Sequence, residues 1–377
     1  MFNPILFRHQ LHKMPELSGL ECNTEEVIAK TLRDFGYMPL TGIGGHGIVV
    51  DIDSGEPGPN LLFRADIDAL PIQEISSLRH CSVKNGIMHA CGHDGHTASL
   101  MALAHRLSCS PLQRGRVTLL FQPSEENGLG ARAMLDDNRW SPGQIDYAFG
   151  YHNVPGFPLG QMLCRENTFS CASAGVAIKL AGKTAHAAYS ETAINPTSAI
   201  AELIQSIETL PTSIPHSFTL ATVVHVNLGQ PTFGTTPATG MLMATLRSDR
   251  NKCLSFVCKE VEKQARHVAE RDGLALAIEW FDRFNATINH SEANMLLRQA
   301  CKDLGFDHTD LDVPMRWSED FAEYSHTWPS AFFGLGSGAA HPPLHDPQYD
   351  FPDALIDISS KIFEQIIRNM NGLNIAI

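Results

Sequence analysis

The chain has 377 residues, 43% hydrophobic and 18% charged, which is ample material for a large core and for one domain carrying an insertion or for two domains. A formal net charge of −13 argues against nucleic acid or an anionic membrane as the main partner. No apolar run approaches the ~18–20 residues of a membrane helix, and the first residues lack a basic-plus-apolar signal pattern, so a non-membrane protein is expected. Nine cysteines, an odd number without regular spacing, speak against a disulfide framework and for a reducing cytoplasm.

In chain order, residues 24–35 place Val27, Ile28, Thr31, Leu32 and Phe35 on one helical face, with Gly36 as the stop. Gly47-Ile-Val-Val-Asp-Ile52 and Asn60-Leu-Leu-Phe-Arg64 read as short strands joined by a Gly/Pro turn. Arg116–Gln122, Tyr147–Tyr151 and Ala331–Leu335 read likewise. These runs are continuously apolar rather than alternating, which suits an α/β sheet covered on both faces. Polar clusters are expected just past the strands: Asp66 and Asp68, Glu125 and Glu126, and His152. Open α/β sheets bind ligands outside the carboxyl ends of their strands, so these clusters predict one site.

The middle of the chain changes character. A strand over 175–180, a helix opening at Asn195-Pro196, strands over 218–226 and 242–246, a helix over 254–269 and a strand over 274–281 give the order β-α-β-β-α-β. That is the order of a ferredoxin-like unit, placed at 171–280 and inserted into a discontinuous domain of residues 1–170 and 281–377.

The densest chemical signal is Met88-His-Ala-Cys-Gly-His-Asp-Gly-His96, three histidines, a cysteine and an aspartate in nine residues. Cys91 and His93 are side chains that divalent transition metals prefer, and their spacing is too tight for one helix face, so a ligand-bearing loop is expected ahead of a buried helix over 97–107. Taken singly, paired glutamates are usually a solvated turn, and a lone His152 or His345 is usually a hydrogen-bonded structural residue. Together they could perform metal-assisted hydrolysis, in which a carboxylate that is not a ligand moves the proton of the attacking water. The spacing alone leaves open which glutamate does which.

The chain resembles the M20 metallopeptidase superfamily in its amidohydrolase branch, which holds hippurate hydrolases, N-acyl-amino-acid deacylases and auxin-conjugate hydrolases. The resemblance rests on His9-Gln-Leu-His-Lys-Met-Pro-Glu16, Phe63–Ile72, His89–His96, Phe121-Gln-Pro-Ser-Glu-Glu126, His152-Asn-Val-Pro-Gly156, Gly182–Ala188, Ser318-Glu-Asp-Phe321 and Leu344–Phe351, in family order over nearly the whole chain. It implies a zinc-peptidase-like domain, with a central mixed sheet flanked by helices, and the ferredoxin-like insert as lid or dimerisation domain. It implies two divalent ions (Zn or Mn, with Co or Ni as alternatives) on Cys91, His93, Glu126, His152 and His345, Cys91 bridging. Glu125 is then the general acid/base and Asp68 orients a ligand or holds the site's charge. His186 would act on the substrate carbonyl or carboxylate, and Arg247 matches a common family arginine.

The implied activity is hydrolysis of N-acyl (acetyl, benzoyl or similar) amino acids by a cytoplasmic enzyme, with a homodimer formed through the insert. The alternatives are a dipeptidase or aminopeptidase of the same superfamily, a Cys91 nucleophile mechanism, and a non-catalytic metal-binding relative. Two departures stand out. Arg165–Cys171 replaces the usual segment before the insert, and Phe233-Gly-Thr-Thr-Pro237 replaces an Asn-Val-Ile-Pro segment whose Asn typically helps to bind substrate.

Overall fold

The computed structural model describes residues 2–374. In chain order its elements are α1 (Pro4–Lys13), α2 (Cys22–Asp34), β1 (Leu40–Ile43), β2 (Gly47–Asp53), β3 (Asn60–Asp66), α3 (His93–Cys109), β4 (Arg116–Gln122), α4 (Gly130–Leu135), β5 (Tyr147–Pro155), β6 (Met162–Cys164), β7 (Asn167–Ser170) and β8 (Ala172–Ala181). There follow α5 (Thr197–Thr209), β9 (Thr219–Leu228), β10 (Thr239–Ser248), α6 (Asn251–Asp272), β11 (Ala275–Phe284), β12 (Thr287–Asn289), α7 (Ser291–Leu304), β13 (His308–Asp310), α8 (Ala322–Thr327), β14 (Ser330–Gly338) and α9 (Ala354–Met370).

The chain forms two compact units, one running to Phe169 and including Thr287–Val313 and the residues from Asp320 on, the other Ser170–Ala286 with Pro314–Glu319. The sequence boundaries at 171 and 280 omit this last segment. It joins the second unit because Cys171 N donates to Met315 O at 3.0 Å and Arg247 Nη1 donates to Arg316 O and Ser318 Oγ.

The first unit holds a mixed eight-stranded sheet in the order β1-β2-β4-β3-β5-β14-β6-β13. Its middle strands β4, β3, β5 and β14 run parallel. Consecutive residues Leu61, Leu62 and Phe63 are all fully buried, as are Leu119, Leu120 and Phe121, because helices cover both faces of these strands. Helix α3 is buried nearly all round (Ala98, Leu100, Met101, Leu103, Ala104) and packs on α9, which supplies Leu355, Ile362, Phe363, Ile366 and Ile367. Burying a side chain of this size is worth about 1.5–3 kcal/mol, so this layer anchors the site-bearing end of the sheet.

The second unit is a four-stranded antiparallel sheet, order β11-β8-β10-β9, with α5 and α6 returning as crossovers, the ferredoxin-like pattern. Helix α5 begins one residue later than expected, and Asn195 Oδ1 accepts from Thr197 N at 3.0 Å. Among the described residues no helix is long and apolar enough to cross a membrane.

Candidate metal centre

Three parallel strands deliver the site. Strand β3 ends at Asp66 and leads into Asp68, and β4 leads through Ser124, at φ +56°, into Glu125 and Glu126. His152 lies inside β5 rather than just past it, a correction of the sequence expectation. The strand stays paired with β14 as far as Pro155, so its end cannot be read from the apolar run, which stops at Tyr151.

The segment 88–96 is also only partly a loop. Cys91 precedes the helix, whereas His93 is the first residue of α3. Gly92 between them sits at φ +94°, and a Cβ there would lie 2.4 Å from Asn153 Oδ1, so this turn requires glycine. His345 is likewise held with φ +66°, its N–H donating to Ala90 O at 2.8 Å, which ties the loop after β14 to the cysteine segment.

These segments bring all five expected ligands together. Cys91, His93 and His152 form one donor group, and Cys91, Glu126 and His345 another, with donor atoms in each within 4.8 Å of one another. Cys91 Sγ belongs to both. The separations are 3.4 Å from Cys91 Sγ to His152 Nε2, 3.8 Å from His93 Nε2 to Glu126 Oε1, and 3.8 Å from His345 Nε2 to Glu126 Oε2. Ligand atoms ~2.0–2.3 Å from a tetrahedral ion lie roughly 3.3–3.8 Å from each other, so His345 and Glu126, too far apart for a hydrogen bond, are spaced to share a cation, and Cys91 and His152 are spaced for a hydrogen bond or for a shared cation. His93 Nε2 and Glu126 Oε1 are buried and have no hydrogen-bond partner, as atoms with a metal to bind would be.

Acidic side chains crowd His93 Nε2, negative charge that a bound cation would balance. Burial disfavours a charged His93, yet Asp66 and Asp68 hold its pKa up to about 10. Burial raises Glu126 to about 7, against the pull of His93 and with the push of Asp68 and Asp66. Burial holds His152 well below the usual imidazole range, and desolvation together with the nearby His93 lowers His345 as well, although its side chain is half-exposed. Without a cation this centre crowds carboxylates around one imidazole.

Glu125 is 6% exposed, its Oε2 is 3.9 Å from His93 Nε2, and its Oε1 accepts from Asp320 N at 3.4 Å. Asp320 is in turn fixed by Arg64, whose buried guanidinium also binds Asp66 Oδ2 at 2.6 Å and Gln122 Oε1 at 2.8 Å. Asp68 accepts from Ser18 Oγ at 2.7 Å and from Glu126 N at 3.0 Å, and meets His93 Nδ1 at 3.1 Å. His96 links Asp66 and Asn153, each at 2.6 Å, and Asn153 donates to Tyr349 Oη, so the segments carrying His152 and His345 share one buried network.

Sequence reading missed Arg64, Asn153 and Tyr349 as site residues, although each stands within a few positions of a ligand or an acidic pair. It also left Asp94 among the possible donors. Asp94 instead accepts from Arg8 Nε at 2.6 Å and meets His12 Nδ1 at 2.8 Å. His89 is buried and is not a member of the donor groups, its pKa pressed down to about 4 by burial.

His186 and Arg247 belong to the second unit. His186 Nδ1 accepts from Ala188 N at 3.1 Å, and its segment is braced by the 233–237 loop, where Thr236 N donates to Ala185 O at 2.9 Å. Phe233 in that loop is fully exposed.

Comparison with known proteins places these motifs. The model of peptidase family M20/M25/M40 matches residues 62–369. The chain is 29% identical to the hippurate hydrolase of Campylobacter jejuni over 364 residues, covering 95% of this chain and 94% of that one. It is 30% identical to the N-acetyl-L-cysteine deacetylase of Bacillus subtilis, over 97% of this chain and 88% of that one. In three dimensions it is similar to the YXEP protein of Bacillus subtilis, described as a dinuclear metal binding peptidase from the M20 family, with a TM-score of 0.81, 27% identity, and coverage of 97% and 96%. The matched region takes in the strands and loops that carry Cys91, His93, Glu125, Glu126, His152 and His345, and the chain belongs to peptidase family M20/M25/M40.

Proposed function

We propose that this protein is a metal-dependent amidohydrolase that cleaves the amide bond of N-acylated amino acids, releasing a carboxylic acid and a free amino acid. The observation that carries the reading is the pair of donor groups sharing Cys91 Sγ, with Glu125 set against them. Membership of the family and similarity to a hippurate hydrolase and an N-acetyl-L-cysteine deacetylase support amide hydrolysis.

Cys91, His93, Glu126, His152 and His345 would hold two divalent ions, Zn or Mn before Co or Ni, since thiolate and imidazole disfavour Mg and Ca. Such ions, when bound, acidify water and polarise a carbonyl. Glu125 takes the proton of the attacking water and returns it to the leaving amine. Asp68 keeps His93 Nε2 directed at the donor group, and Arg64, through Asp320, keeps Glu125 in place. His186 and Arg247 of the second unit are the proposed substrate-binding residues, as hydrogen-bond donors to a carbonyl or carboxylate oxygen.

We further propose a homodimer through the β9 edge of the second unit, which exposes Leu220, Val224 and Val226 on an open strand. A reducing cytoplasm is the proposed compartment, from nine cysteines, an odd number without regular spacing. The test is a panel of N-acetyl and N-benzoyl amino acids against free dipeptides, with the protein stripped of metal and then reloaded with Zn or Mn. Metal-restored release of amine from the N-acyl substrates supports the reading. Preference for a free α-amine transfers the protein to the peptidases, and metal binding without turnover of any amide would make it a non-catalytic relative.

A further inference from the structure

Away from the metal centre, three side chains form a second constellation. Cys22 is exposed and is the first residue of α2, and its Sγ is 3.4 Å from His46 Nε2. His46 Nδ1 is 2.8 Å from Glu25 Oε2. Cys22 and Glu25 are three residues apart on one helix and so share a face, over which the β1–β2 turn lays the imidazole. The turn is pinned, because Gly44 N donates to Asp137 Oδ2 at 2.9 Å and a Cβ on Gly44 would lie 2.6 Å from Met134 N. Arg139 interacts with Glu25, and the neighbouring Glu21 carboxylate accepts from Ser124 N at 2.8 Å.

A sulfur nucleophile, an imidazole within reach of its proton and a carboxylate orienting that imidazole are the three parts of an activated thiol. The helix N-terminus adds a favourable field for the thiolate. The general acid/base chemistry proposed above uses none of these residues.

We propose that Cys22 is an activated thiol that exchanges reversibly with small-molecule disulfides. In the step, His46 takes the Cys22 proton and the thiolate attacks one sulfur of the disulfide. The Cys22–sulfur bond forms as the original sulfur–sulfur bond breaks, and the departing thiolate receives the proton from His46. Cys22 is oxidised and the leaving sulfur is reduced, so the disulfide is the only oxidant required. Attack by a second thiol reverses the step.

The molecule carries its own control. Cys109 is also exposed, but it is the last residue of α3, where the helix field opposes a thiolate. The experiment treats the full chain with glutathione disulfide at neutral pH and follows each cysteine peptide by mass spectrometry, in wild type, His46→Gln and Glu25→Gln. Cys22 is expected to form the mixed disulfide about tenfold faster than Cys109, or more. His46→Gln should bring its rate down to that of Cys109, Glu25→Gln should lower it in part, and thermal unfolding should be unchanged in both. Equal rates for Cys22 and Cys109 in the wild type, or a Cys22 rate indifferent to His46→Gln in the folded variant, would overturn the proposal. Should His46→Gln not fold, an unaltered Cys22 rate in Glu25→Gln would do the same.

Discussion

Asp68 Oδ1 lies 3.1 Å from His93 Nδ1 while Asp68 Oδ2 accepts from the backbone N–H of Glu126 at 3.0 Å. One buried carboxylate thus orients an imidazole and the adjoining segment of a second donor. Because Nδ1 faces the Asp68 carboxylate and carbonyl, both acceptors, it keeps its proton, and Nε2 is the nitrogen a metal would take in exchange for a proton. Asp68→Asn keeps the shape and removes the charge. It is expected to weaken metal binding about 10–100-fold, read by metal titration against a competing chelator, with turnover falling alongside.

The centre should be stabilised by the cation it fits. Adding Zn to stripped protein is expected to raise the thermal midpoint, whereas Mg or Ca at the same concentration should not. Cys91→Ser should shrink the Zn-dependent rise, since Cys91 Sγ belongs to both donor groups. An identical rise in the variant, followed by scanning calorimetry, would remove Cys91 from the ligand set.

A buried charge cluster beside the centre predicts a pH dependence of stability. Burial opposes the charge on His12, but Asp94 and Glu74 raise its pKa to about 9. Burial likewise opposes the charge on Glu74, but hydrogen bonds from His12, Ser76 and Ser82 lower its pKa to about 2. The raised His12 pKa contributes stability fully present below its unfolded value of ~6.5 and lost as pH rises through 9. The lowered Glu74 pKa contributes stability present above ~4.5 and lost as pH falls through 2. Urea unfolding of wild type and His12→Asn should therefore differ most below pH 6.5 and converge above pH 9. Glu74→Gln should differ from wild type above pH 4.5 and converge with it under strong acid.

Gly95 tests the packing under the site. A Cβ there would lie 2.3 Å from the ring of Phe351, which is buried at 1% exposure and cannot swing aside. Gly95→Ala is expected to cost about 1–3 kcal/mol of unfolding free energy. Its effect on turnover should exceed that of an equally destabilising substitution in the second unit, because Phe351 closes the segment that carries His345. Denaturant unfolding paired with a rate measurement separates the two.

Much of this architecture was legible from residue order. Continuous apolar runs such as Leu61–Phe63 mark strands buried on both faces, and their polar successors Asp66, Asp68, Glu125 and Glu126 do gather at one end of the sheet. What stayed hidden depends on partners far along the chain. Arg8 meets Asp350 and Asp94, His96 meets Asn153, and Cys22 meets His46, pairings that no local periodicity encodes. His152 was misplaced because pairing with β14 prolongs β5 past its apolar run. The inclusion of 314–319 in the second unit was equally invisible, since it rests on backbone hydrogen bonds to Cys171 and on Arg247.

The most direct test of the central claim is Glu125→Gln, assayed for bound metal and for amine release from an N-acyl amino acid. The substitution preserves size and removes only the ability to take a proton. The account predicts a folded protein with its metal content retained and turnover reduced about 10²–10⁴-fold. Undiminished turnover in a metal-loaded Glu125→Gln protein would contradict it.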